Sequence, residues 1–145
     1  MPRREREARE ADAVVRALAD PATYGHGPVS VEHVQTHISH VFLVGPWVYK
    51  LKKPVTFPFL DFGSVEKRRH FCEREVVLNR RLSPNVYLGV VPISTRNGRF
   101  VFGAGDEVVE YAVQMRKLSE RTSMRPSIPC SMRFARISPP CMSLR

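Results

Sequence analysis

Val41-Phe42-Leu43-Val44-Gly45-Pro46-Trp47-Val48-Tyr49-Lys50-Leu51-Lys52 sets two apolar, β-branched and aromatic runs on either side of a Gly-Pro break. That pattern predicts a β-hairpin. In its second strand the side chains alternate: Val48, Lys50 and Lys52 project to one side, Trp47, Tyr49 and Leu51 to the other. A lysine among such apolar neighbours asks for an anionic partner. The next long element offers one. Ser64 can cap a helix over about 65–82, with Glu66 in its first turn and Ser83-Pro84 as its stop. Phe71, Glu75, Leu78 and Leu82 recur at helical spacing, so the expectation is one buried face, apolar except for Glu75. A carboxylate on a buried stripe needs a cation to meet it.

Outward from this core, residues 3–19 read as a helix with Ala11, Val14, Val15 and Leu18 on one side and a solvated Arg/Glu face, ended by Asp20-Pro21. Residues 30–35 suggest a short strand and 54–63 a Pro- and Phe-rich loop. Further strands are expected at about 87–93, at 99–102 beside the Asn97-Gly98 turn signal, and at 108–115. The order predicts an α+β fold: an antiparallel sheet of about five strands, one long packed helix and an N-terminal helix. The expected divisions are 1–22 (N-terminal helix), 23–118 (sheet and long helix) and 119–145 (a disordered tail).

The 145 residues allow one domain, and the net charge is +9. Residues 1–115 contribute only +3 of this excess; residues 116–145 contribute +6. That last stretch is rich in Pro, Met and Cys and has no sustained period, which reads as poorly ordered. Cys72, Cys130 and Cys141 form no Cys-x-x-Cys pair and no even framework, so a reduced, cytoplasmic setting is the default. No apolar run approaches the length of a membrane span, and the first residues do not resemble a secretory signal, so no membrane partner is expected.

A strand lysine paired with a glutamate on the following helix aims an ammonium group at a phosphate, the device protein kinases use against ATP. A wider set of segments points the same way. Gln35-Thr36-His37-Ile38-Ser39-His40-Val41-Phe42-Leu43 and Val48-Tyr49-Lys50-Leu51-Lys52-Lys53-Pro54-Val55 are followed by Phe59-Leu60-Asp61-Phe62 and Glu66-Lys67-Arg68-Arg69. Then come Leu78-Asn79-Arg80-Arg81-Leu82, Tyr87-Leu88-Gly89-Val90-Val91-Pro92-Ile93 and Glu110-Tyr111-Ala112-Val113-Gln114-Met115-Arg116. Collinearly, over about residues 17–118, this series resembles a bacterial family of aminoglycoside phosphotransferase-like proteins. The resemblance implies a protein-kinase-like fold, of which it covers the N-terminal lobe alone.

Carried over from that resemblance, Lys50 is the ATP lysine, with Lys52 on the same strand face as the alternative. Glu75 is the helix glutamate that holds it, with Glu73 as runner-up. Thr36–Ser39 lies where kinases place the loop over the nucleotide phosphates, although no Gly-x-Gly-x-x-Gly is present. Tyr111, Val113 and Met115 lie on the last strand before the interlobe hinge, where main-chain groups would meet adenine. The implied cofactor is ATP, with Mg²⁺ in intact relatives, and the implied partners are a nucleotide and a small-molecule acceptor that the residues do not specify. Asp61-Phe62-Gly63 spells the kinase magnesium motif out of place, ahead of the long helix, and reads as a turn and cap.

The family's catalytic loop, its asparagine and its later metal-binding aspartate do not occur in the sequence, and the resemblance stops after Met115-Arg116-Lys117-Leu118. The expectation is a truncated ATP-binding lobe with an out-of-frame tail, inactive alone and self-associating through an exposed interlobe face. Two competitors stand beside it. A nucleic-acid-binding module rests on Lys50-Leu51-Lys52-Lys53, Lys67-Arg68-Arg69 and the basic tail, but lacks an aromatic ladder. A metal site at His37 and His40, with His33 as an optional member, would need a third ligand.

Overall fold

A computed structural model of the chain describes residues 2–25 and 30–118; the expected tail, 119–145, lies outside the described residues. The chain runs through α1 (Arg3–Leu18), a 3₁₀ turn (Pro21–Tyr24), β1 (Val31–Gln35), β2 (Ser39–Val44), β3 (Trp47–Lys52), β4 (Thr56–Phe57), β5 (Leu60–Asp61), α2 (Val65–Arg80), β6 (Tyr87–Arg96), β7 (Arg99–Phe102) and β8 (Glu107–Arg116). The architecture is α+β. Six strands form a curled antiparallel sheet in the order β1-β2-β3-β8-β6-β7, one more than expected. The loop at 54–63 holds a further small hairpin, β4-β5. Its strands are two residues each, too short to leave a periodic trace in sequence.

The hairpin at 41–52 forms as its residues dictate. Gly45 takes a φ of +56° at the turn, a conformation that disfavours side chains. Asn97 and Gly98 both have positive φ, 51° and 76°, as a two-residue turn between β6 and β7 requires. Helix α2 starts where Ser64 Oγ accepts a hydrogen bond from Lys67 N at 3.2 Å.

The two faces of the sheet are covered differently. One packs against α1 and the 3₁₀ turn, with Val14, Leu18, Tyr24, Phe42, Val44, Tyr49, Leu51, Ile93, Val109 and Ala112 in its core. So α1 is not only a solvated amphipathic helix; its apolar side seals that face. The other face carries α2, whose Cys72 and Val76 pack with Val113 and with Tyr87, Val90, Tyr111 and Met115.

The orientation of α2 corrects the expected face. Its buried stripe is Arg68, Cys72 and Val76, while Leu78 and Leu82 are exposed, Leu82 at 86%. Phe71 and Glu75 lie on the flank of that stripe. One residue is worth about 100° of helix rotation. A stripe chosen by counting apolar residues therefore misses an arginine at the centre of the true one. Arg68 is buried because β8 supplies its partner. Val109 is an extra residue on β8, opposite the Ile93–Ser94 step of β6; it joins Ile93 and Ala112 in the α1-side core, and Glu110, paired with Ile93, stands beside this bulge. Arg68 Nε then meets both carboxylate oxygens of Glu110 at 3.0–3.1 Å, and Nη1 donates to the Phe62 carbonyl at 2.8 Å.

These burial differences fix relative stabilities. Leu18→Ala should lower the free energy of unfolding by about 2–4 kcal/mol, and Leu82→Ala should leave it within about 0.5 kcal/mol, in urea melts followed by circular dichroism.

Candidate functional site

The lysine strand and the glutamate helix do meet. Lys50 Nζ lies 2.8 Å from Glu75 Oε1 and Lys52 Nζ lies 2.7 Å from Glu75 Oε2. Two lysines, two residues apart on one pleated strand, therefore share one carboxylate. Glu73, the alternative, is on the exposed side of α2 with Arg69 at 3.3 Å. Two positive charges against one negative leave the cluster with an excess of one positive charge, in a place mostly closed to water.

The ionisation states follow from this geometry. Burial would push the Glu75 carboxyl up, but the two ammonium groups outweigh it and hold it at about 2, against an ordinary 4.5. Lys50 is lowered: burial dominates, Glu75 opposes it and Lys52 adds repulsion. Lys52 is raised, because Glu75 prevails over its burial.

Sheet register shows what surrounds the cluster. Directly paired residues on neighbouring strands share a face. Val34 pairs with Val41, Val41 with Lys50, and Lys50 with Val113. In the next row Leu43 pairs with Val48 and Val48 with Met115. Val113 and Met115 lie under α2, whereas Val34, Val41, Leu43 and Val48 belong to neither core cluster and remain partly or largely exposed. Lys50 thus stands at the border between the covered half of this face and an open apolar half. Alternation in β1 and β2 could have revealed Val34 and Val41 in the sequence.

The other predicted residues fall as follows. Thr36 and Ser39 close the β1-β2 turn: Thr36 Oγ1 accepts hydrogen bonds from Ile38 N and Ser39 N at 3.3 and 3.1 Å. Those two backbone donors are therefore spent within the turn rather than presented to a ligand. Ser39 is buried and pairs across strands with Lys52; its hydroxyl has no hydrogen-bond partner among the described residues. Tyr111, Val113 and Met115 turn their side chains to α2, and β8 is a central strand between β3 and β6. Its main-chain groups are committed to the ladder. The commitment extends past the strand, since Lys117 N donates to the Pro46 carbonyl at 2.7 Å. Main-chain contact with an adenine ring is thus not open at 111–115.

Asp61-Phe62-Gly63 is a turn. Asp61 Oδ1 accepts from Thr56 and from Gly63 N, Oδ2 is held by Lys67, and these bonds, Lys67 first, keep the carboxyl at about 2. Both oxygens are occupied by protein donors, which does not suit a magnesium ligand. Among the histidines, His33 Nε2 and His40 Nδ1 face each other at 3.0 Å, and His37 is not part of the pair. No group of three or more potential ligands that could hold a metal occurs among the described residues. No helix among them is long and apolar enough to cross a membrane. Surface clefts are lined by Arg3, Glu7, Ser64 and Lys67 and by His70, Arg74, Val77 and Leu78, and neither includes Lys50, Lys52 or Glu75. The charge chemistry, rather than concavity, marks the site.

Comparison with known proteins adds little to these observations. No family model matches the chain, and no solved structure matches it significantly. Over 64 residues the chain is 42% identical to uncharacterized proteins of Mycobacterium tuberculosis and Mycobacterium bovis. The match takes in 44% of this chain and 13% of the relatives' length, so the chain spans a small part of proteins several times larger.

The depressed Glu75 carboxyl has a consequence for acid stability. Its stabilising contribution is full above about pH 4.5, the unfolded value, and fades as pH falls to about 2. Glu75→Gln should therefore flatten the acid limb of stability between those limits. It should also cost about 3–5 kcal/mol at pH 7, because both lysines lose their carboxylate. Urea melts across pH 2–8 would show both effects.

Proposed function

We propose that this chain is the nucleotide-phosphate-binding lobe of a kinase-like small-molecule phosphotransferase, and that on its own it binds nucleotide weakly and transfers no phosphoryl group. The observation that carries the reading is the Lys50–Glu75 ion pair, which links a central sheet strand to the helix packed on that sheet. An ammonium group fixed in this way is a positioned phosphate ligand. The excess positive charge of the cluster suits one phosphate oxyanion. The open apolar half of the face, Val34, Val41 and Val48, gives a flat ring a surface beside that charge. The connection of elements supports it too: the glutamate helix follows the lysine strand with the small β4-β5 hairpin between them, and the sheet brings β8 back beside β3.

Magnesium ligands and a group to orient the acceptor are the other requirements of phosphoryl transfer. Asp61 does not fit the first role, for the reason given above. In this reading both come from a second lobe; the relatives that this chain matches are several times longer than it is. The acceptor is a small molecule whose class the described residues do not define.

The nucleic-acid reading has less support from the described residues, which exclude the basic tail. Lys67 meets Asp61, Arg68 is enclosed with Glu110, and Arg69 meets Glu73. Phosphate-backbone binding needs such cations free to displace counterions.

Isothermal titration of the chain with ATP should show binding in the range of roughly 0.1–1 mM, where only a partial site contributes. Lys50→Ala should abolish it, and incubation with labelled ATP, Mg²⁺ and candidate acceptors should yield no labelled product. Wild-type protein that ignores ATP, or an alanine variant that binds as well, would remove the proposal.

A further inference from the structure

The cluster holds two lysines where one would make the ion pair, and their surroundings differ. Lys52 is anchored from several sides. Its side chain is 7% exposed, against 23% for Lys50. Its ammonium group also sits 5.1 Å from the centre of the Phe62 ring. Phe62 is itself immobilised: it is buried, meets Phe71 edge-on, donates its N–H to the Val55 carbonyl and accepts from Arg68 Nη1. Arg68 in turn is gripped by Glu110 in the interior. A continuous chain of contacts, Lys52–Phe62–Arg68–Glu110, therefore ties one cation of the cluster to the α2–β8 junction.

Lys50 has none of this. Glu75 is its single charged partner among the described residues, its strand neighbours are Val41 and Val113, and it borders the open half of the face. Its ammonium group is held below its ordinary range while that of Lys52 is held above it. Of the two, Lys50 has more to gain from a further anion.

We infer that Lys52 is a positioning residue: it keeps the Glu75 carboxylate ionised and aimed, leaving Lys50 as the lysine that meets the phosphate. The inference rests on the nucleotide-binding reading for its second half alone. A lone strand lysine that turned from its glutamate toward a phosphate would leave that carboxylate buried without a cation. Here Lys52 stays on Oε2 when Lys50 leaves Oε1, so ligand binding does not strand a charge.

Two measurements separate this role from a merely structural one. The first needs no nucleotide: the Glu75 side-chain carboxyl is titrated by ¹³C NMR in wild type, Lys50→Met and Lys52→Met. The carboxyl should rise further in Lys52→Met than in Lys50→Met, and Lys52→Arg should restore the wild-type titration. An equal rise, or a larger one in Lys50→Met, would overturn the positioning role. The second compares ATP with adenosine by calorimetry. Lys50→Met should cut the preference for ATP by about tenfold or more. Lys52→Arg should keep that preference, and Lys52→Met should bind ATP with an affinity that begins to fall at a higher pH than in wild type. A Lys52→Arg variant that loses the ATP preference as fully as Lys50→Met would show that Lys52 itself contacts phosphate, against the inference. If wild type shows no preference for ATP, the nucleotide reading fails and the carboxyl titration still decides whether Lys52 positions Glu75. Should Lys52→Met not fold, Lys52→Gln and Lys52→Arg carry the same comparison.

Discussion

A single carboxylate held between two ammonium groups organises this fold. Glu75 ties α2 to β3 through Lys50 and Lys52, and β3 is the strand on which both halves of the sheet meet. Water is largely excluded there, so the three charges must satisfy one another. Removing Glu75 leaves two buried ammonium groups whose desolvation nothing offsets, whereas removing either lysine leaves the other still paired with the carboxylate. The position of α2 over the sheet is therefore set by electrostatics at its middle and by small apolar contacts, Cys72 and Val76 on Val113, on its underside.

A second buried ion pair acts beside the first. Arg68 and Glu110 are both almost fully enclosed, and burial pushes the Glu110 carboxyl up even against its arginine. The guanidinium also takes the Phe62 carbonyl, although its Nη2 has no partner among the described residues. Together the two pairs fix α2 at two points along its length, one a turn or two from each end. That is enough to define both its tilt and its rotation. Cys72 lies between them, and burial lifts its thiol to about 12, which leaves it a packing residue rather than a nucleophile.

Much of this was legible in the sequence. The hairpin, both helices and the antiparallel order follow from alternation, caps and turn residues, and the Lys–Glu contact follows from a charged position on an otherwise apolar helix flank. What escaped had physical reasons. The rotation of α2 does not follow from its apolar residues because its true buried stripe contains Arg68, and an arginine looks solvated until its partner is known. That partner, Glu110, sits beside a bulge in β8, and a bulge interrupts the alternation from which strand faces are read. The sharing of Glu75 by both lysines was not foreseen either, because nothing in alternation says whether two same-face residues reach one acceptor. Asp61 and His37 match metal patterns by spelling alone: Asp61 stands in the turn that precedes the Ser64 cap, and His37 lies outside the His33–His40 pair.

The central strand of the sheet is also the last to be made. Lys50 pairs with Val113, about 60 residues later, and β6 can join the sheet only through that same strand. On a translating ribosome, β1, β2 and β3 must wait with one raw edge exposed until residues 107–116 emerge, and α2 cannot settle on a finished surface before then. Assembly is consequently governed from the C-terminal side of the lobe. A polypeptide arrested before β8 would present an unpaired, apolar border, a natural substrate for chaperones or for aggregation.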